Sequence, residues 1–146
     1  AAGHTTSTSV LDYVEHEADA EAAEHLEVEE GTAVVSCTRI RYADGEPIAV
    51  LSNLMPASMA PTREELEKGG LYDLLRTQDI IPTTAKQVIG ARNATTREAE
   101  QLHERRRAAL LTATRITYDQ SGRVIEYGQH IYRASRYTFE TSLFSS

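Results

Sequence analysis

The dipeptide Asp44-Gly45 constrains this chain more than any other feature of its sequence. Both residues tolerate the positive φ angles of a two-residue reverse turn, and strand-forming residues run away from it on either side. Residues 36–56, SCTRIRYADGEPIAVLSNLMP, therefore read as a β-hairpin. Successive side chains of a strand point to opposite faces, so Arg39 and Arg41 share a face, in a row continued by Cys37 and Val35. One face of this hairpin carries paired positive charge.

A second hairpin is expected near the far end. Residues 108–118 and 123–133 are strand-like and are joined by Asp119-Gln120-Ser121-Gly122, a run of turn residues. The same alternation puts Glu126, Gly128, His130 and Tyr132 on one face. Thr62 with Glu65, and Thr95 with Glu98, have the spacing of capping boxes, in which each residue satisfies a backbone donor of the other. They predict a helix that stops at Gly69-Gly70 and a second that passes Leu102 to about residue 104. Leu71, Leu74 and Leu75 give an apolar side to a short helix over 71–76, and Asp19 suits the N-cap of a helix over 18–26. Further strands are expected over 10–17, 83–91 and 137–144, with a connector around Pro56 and Pro61. Residues 1–9 are small and polar and read as a linker end or a remnant of expression, without regular structure.

Placed 76 residues apart, the two helix-and-hairpin stretches match. Ala23, Glu24 and Leu26 fall on Ala99, Glu100 and Leu102; Thr38-Arg39-Ile40 and Tyr42 fall on Thr114-Arg115-Ile116 and Tyr118. The turn glycines Gly45 and Gly122 follow after a one-residue insertion. Two copies are too few for a solenoid, so the pattern predicts one pseudo-symmetric α+β domain over 10–146, an antiparallel sheet with flanking helices.

Composition narrows the function. A net charge of −7 argues against gripping nucleic acid, whose phosphates need a basic surface. The single cysteine, Cys37, excludes an internal disulfide and suits a reducing cytoplasm. No apolar run approaches the ~18–20 residues of a membrane helix, and residues 1–9 lack the apolar core of a signal peptide, so no membrane partner is expected.

Arg39 and Arg41 make a ready site for a carboxylate or phosphate, because each guanidinium offers a planar fork of donors; a solvated face or structural ion pairs are the plainer alternative. Glu126 and Tyr132 are suited to hydroxyls or an amine of a ligand whose anionic end rests on the arginines. Catalysis has little support. The five histidines show no zinc-type pairing, and neither a glycine-rich phosphate loop nor a nucleophile elbow occurs, so no metal or cofactor is expected. Cys37 would be a nucleophile only if Arg39 depressed its pKa; a structural cysteine is the simpler reading. Arg105-Arg106-Arg107 is a basic run at a helix end, in keeping with the helix dipole.

The stretches RIRYADGEPIAV, LYDLL, ATTREAEQL and ITYDQSGRVIEYGQHIYRASRYTFE resemble the UTRA domain, the effector-binding half of GntR-type transcription regulators of the HutC subfamily. The resemblance covers roughly residues 10–143. It implies a fold similar to chorismate lyase, a homodimer, and operator DNA contacted only through an N-terminal winged helix-turn-helix domain absent from this sequence. In members that bind sugar phosphates the resemblance equates the anion-holding arginines with Arg39 and Arg41, and the acid and tyrosine that touch the rest of the ligand with Glu126 and Tyr132. It departs at Leu51, where amino-sugar-phosphate binders have Glu, at Gly70, where they have Ser, and in a Ser/Thr segment before the first strand that is missing or truncated. Gly70 and His130 complete the candidate ligand site. An anionic small-molecule effector is the expected partner. A chorismate-lyase-like enzyme and a dimerisation module without ligand remain the alternatives.

Overall fold

In the computed structural model, which describes residues 5–138, the chain forms a six-stranded antiparallel sheet with short helices on both faces. β1 (Thr6–Glu17), α1 (Ala20–Leu26), β2 (Ala33–Ala43) and β3 (Glu46–Pro56) come first. α2 (Arg63–Lys68) and α3 (Leu71–Arg76) follow, and then β4 (Pro82–Asn93), α4 (Thr96–Gln101), β5 (Ala109–Asp119) and β6 (Val124–Arg133). The order across the sheet is β1-β2-β3-β6-β5-β4.

That order reads the same from both ends, because the chain lays down strand, helix and hairpin twice. The 76-residue spacing holds at each level: β1 starts at Thr6 and β4 at Pro82, and Asp19 and Thr95 cap the two helices. Even the irregularities coincide, since the β2–β3 register shifts between Arg41 and Tyr42 and the β5–β6 register between Thr117 and Tyr118. The sequence repeat is thus a structural duplication about a pseudo-two-fold axis between β3 and β6, with α2 and α3 inserted in the first half only.

The turns follow their residues. Asp44 and Gly45 have φ of 50° and 81°, the paired positive angles of a type I′ turn whose twist suits a hairpin. At the second hairpin the Asp119 Oδ1 accepts from the Ser121 and Arg123 amides at 2.9 Å each, and Gly122 takes the left-handed position, φ 80°. Both capping boxes form, at Thr62 and at Thr95.

Alternation along the strands divides the core between the two faces. Val34, Ile40, Val50, Leu110 and Val124 point toward α1 and α4, whose anchors are Leu26 and Ala99, with Leu102 just beyond α4. Val35, Cys37, Met55 and Ile125 point the other way, beneath Leu66 of α2 and Leu71 and Leu75 of α3.

Two expectations need correction, and a third falls largely outside the described residues. Residues 6–9 are not a linker: they begin β1, Thr6 facing Ala43 and Ser9 facing Ile40, because an edge strand needs only backbone partners and leaves polar side chains to solvent. The helix after Thr95 ends at Gln101 rather than near 104, and His103 takes a left-handed turn, φ 53°. Of the strand expected over 137–144, Tyr137 and Thr138 are in no strand and the remainder lies outside the described residues.

Candidate functional site

A cavity of about 380 Å³ opens between α3 and the sheet. The six residues selected from sequence, Arg39, Arg41, Gly70, Glu126, His130 and Tyr132, all line it. Strand register sets them in rows. Arg39 faces Leu51, which faces His130; Arg41 faces Ala49, which faces Tyr132. Between the row of Arg39 and the Thr117–Glu126 pair runs a further row, in which Asn53 and Arg115 flank Gly128.

Gly128 makes this centre possible. A Cβ there would lie 3.0 Å from both Glu126 Oε2 and His130 Nε2, and 3.5 Å from Asn53 Nδ2, so the missing side chain is the space in which three polar groups meet. Arg39 Nη2 donates to Asn53 Oδ1 at 3.0 Å, which turns the Asn53 amide nitrogen toward Glu126 Oε2, to which it donates, and toward His130 Nε2 at 3.5 Å. Glu126 is 1% exposed and its other oxygen accepts from Tyr72 Oη at 3.0 Å and Thr117 Oγ1 at 2.9 Å.

The electrostatics are lopsided. Arg39 is 5% exposed, its guanidinium is pushed below its ordinary range by burial, and its buried Nε has no hydrogen-bond partner. Among the described residues no ion pair joins Arg39, Arg41 or Arg115 to a carboxylate. His130 is held down to about 4, first by burial and then by Arg115, Arg39 and Arg41, so its ring is neutral near pH 7. Burial raises the Tyr72 and Tyr132 hydroxyls, which therefore keep their protons. With the Asn53 amide aimed at Nε2, the His130 proton belongs on Nδ1, 3.3 Å from Tyr132 Oη, and Tyr132 is left free to donate into the cavity. Cys37, in contrast, is raised by burial against the opposing pull of Arg39, and is a thiol within the core rather than a nucleophile.

A second cavity of about 480 Å³ adjoins the first through Arg41 and Gly70, and Thr6, Ser7, Thr8 and Lys68 line it. The polar residues read as a linker thus supply hydroxyls beside Arg41. On the opposite face a groove of about 610 Å³ crosses the sheet over Thr38, Ser52, Thr114 and Gln129; the Arg92 on its wall is engaged by Glu98 at 2.6 and 2.7 Å. Among the described residues no three metal-ligating side chains gather, and no helix is long and apolar enough to cross a membrane.

The family model of the UTRA domain matches residues 1–138. The chain belongs to the UTRA domain family. It is 32% identical over 139 residues to the transcriptional repressor NagR of Bacillus subtilis, covering 94% of this chain and 57% of that protein. With the regulator GgaR of Escherichia coli K12 it shares 29% over 119 residues, 82% of this chain and 48% of GgaR. The UTRA domain therefore spans about half the length of the curated relatives it matches. Among solved structures, the effector domain of PhnF from Mycobacterium smegmatis superposes with a TM-score of 0.90 at 26% identity, over 98% of this chain and 90% of that one. A Streptomyces coelicolor protein provisionally assigned as a transcriptional regulator does so at 0.85 and 43% identity, over 94% and 95%. This UTRA domain is homologous to the effector-binding domains of GntR-type regulators, and its relatives are named as transcriptional regulators.

Sequence reasoning missed Asn53, Tyr72, Thr117 and, as a cavity residue, Arg115. Arg115 had a signal, since it is the repeat equivalent of Arg39 and shares a face with Thr117. Asn53 lies two residues beyond Leu51 on the same face. Tyr72 had none beyond its place next to the apolar stripe of α3, because which helix roofs the sheet is a tertiary fact.

Proposed function

We propose that this UTRA domain is the effector-sensing and dimerising part of a cytoplasmic GntR-type regulator of the HutC subfamily, that its effector is a small anion, and that it is a sensor rather than an enzyme. Operator DNA is contacted by a winged helix-turn-helix domain elsewhere in the protein. The observation that carries the anion is Arg39: a buried guanidinium with an unpartnered Nε and, among the described residues, no carboxylate paired with it. Burying this guanidinium costs free energy that its bond to Asn53 and the nearby Glu126 offset only in part, and an anionic ligand spanning Arg39 and Arg41 offsets more of it.

Each remaining candidate has a role in this reading. Tyr132, oriented through His130, donates its hydroxyl to the ligand. Glu126 already accepts three hydrogen bonds, which leaves about one lone-pair site for a ligand hydroxyl. Leu51, buried at 2% exposure, puts an apolar floor where the resembling amino-sugar-phosphate binders have an acid. Gly70 leaves the mouth open toward Ser7 and Thr8. The effector is then a phosphorylated or carboxylated metabolite without an amine over Leu51. It acts by binding one conformer of the domain better than another.

The test is a thermal-shift screen with inorganic phosphate and a panel of phosphorylated and carboxylated metabolites. A ligand at a hundred times its Kd stabilises the wild type by about 2.7 kcal/mol, and Arg39→Ala or Arg41→Ala abolishes the shift. Absence of any stabilising anion, or an equal response from both variants, sinks the reading.

A further inference from the structure

The two edges of the sheet are unequal. β1 carries Asp12, Glu15 and Glu17, its pairing shifts between Val10 and Asp12, and Arg63 reaches over from α2 to donate to the Val10 carbonyl at 3.0 Å. Charge, irregularity and a covering side chain are the devices that keep an edge strand from pairing with another chain. β4 has less of this: its charges are Lys86 and Arg92, and its pairing shifts only at its start, between Pro82 and Thr84. Its twelve residues are exposed after Pro82 and include no acid, and its register with β5 is unbroken from Thr84 to Asn93. Val88 is 72% exposed and Ile89 43%. Among the described residues β4 pairs with β5 alone.

We propose that β4 is where a second copy of this chain docks, β4 against β4, antiparallel about a two-fold axis at Val88. This deepens the dimer reading given under the proposed function and rests on it. A strand paired antiparallel with itself is self-complementary and closes at two copies. Partners in an antiparallel pair share a face, so few registers are open. With the axis at Val88, Lys86 faces Gly90, Gln87 faces Ile89 and Ala85 faces Ala91, and no like charges meet. An axis at Ile89 would set Lys86 against Arg92, a repulsive pair. Pairing of β4 with β1 of another copy would be head-to-tail and open-ended, and the Val10 irregularity and Arg63 stand in its way.

Sedimentation analysis of the purified chain tests this, with Val88→Lys, Val88→Glu and, as a control on β1, Val14→Lys. Wild type and Val14→Lys are expected to be dimers. Each Val88 variant alone, folded by circular dichroism, weakens the dimer at least about tenfold, because like charges face across the axis. An equimolar mixture of the two Val88 variants recovers the dimer, which a misfolded variant could not do. A monomeric wild type overturns this surface and the dimer reading together. Val88 variants with wild-type affinity, or a mixture that stays monomeric, overturn the surface alone. An open-ended wild-type polymer replaces the two-fold contact with the head-to-tail one.

Discussion

At the scale of single residues the cavity is a directed hydrogen-bond chain that starts at a buried charge. Arg39 orients Asn53, Asn53 faces the Nε2 of His130, and His130 in turn faces Tyr132. His130 has to stay neutral for this chain to run, and three arginines beside a buried ring keep it so. Its folded value of about 4 lies below the ordinary 6.5, so between those values the unfolded chain takes up a proton that the folded one refuses. The contribution of His130 to stability is therefore constant above about pH 6.5 and declines as the pH falls toward 4, by up to about 3 kcal/mol. Denaturant unfolding at a series of pH values should show this decline in the wild type and a shallower one in His130→Gln; parallel curves would mean that the ring is not held neutral. The arginine pair was readable from the sequence because alternation along one strand is local. Asn53 was not, because its partners come from two other strands and a register that no single strand encodes.

At the scale of elements, two of the stretches that carry the family resemblance clasp one another. The DGEP turn and the closing YR-x-x-RY segment lie far apart in sequence, yet Arg136 pairs with Glu46 and Arg133 Nη1 donates to the Pro47 carbonyl at 2.9 Å. Arg133 Nε also donates to Glu104 at 2.9 Å, and Tyr137 stacks on Tyr132 with ring centres 4.5 Å apart. The Glu104 carboxyl is held below its ordinary range by Ser135 and by Arg133, a sign that its charge is well satisfied. Arg133→Met strands a largely buried carboxylate and a carbonyl, and should lower the unfolding free energy by about 2–4 kcal/mol. Arg133→Lys should restore less than half of this, since one ammonium cannot span both acceptors; equal stability of all three proteins would make the clasp incidental. The capping boxes at Thr62 and Thr95 were legible because their partners are three residues away. The start of β1 was not, because the polar residues 6–9 become a strand only by meeting the backbone of residues 40–43.

At the scale of the whole molecule the duplication explains where the cavity sits and what it touches. Arg39 and Arg115 are repeat equivalents on either side of the pseudo-axis, and the inserted α3 roofs the space between them, so one half contributes Arg41 where the other has the buried Thr117. The repeat itself was visible in the sequence; the mirrored strand order was not, since it follows from which hairpins pair. Arg115 does more than line the cavity. Its Nη1 donates to Tyr72 Oη at 3.2 Å, while its Nε and Nη2 donate to Gln87 Oε1 on β4 at 2.9 and 2.7 Å. An anion that draws Arg115 inward pulls on the same side chain that braces the edge strand. Effector affinity and dimer affinity are therefore expected to be coupled, by fivefold or more, and reciprocally. Dimer dissociation constants measured by sedimentation with and without the most stabilising anion give the coupling factor. Gln87→Ala, whose own anion-free dimer constant is the reference because residue 87 lies in the proposed seam, should still bind the anion while bringing that factor to about one. A factor unchanged in Gln87→Ala would show that the cavity reaches the edge by another route, and would leave Arg115 a ligand residue alone.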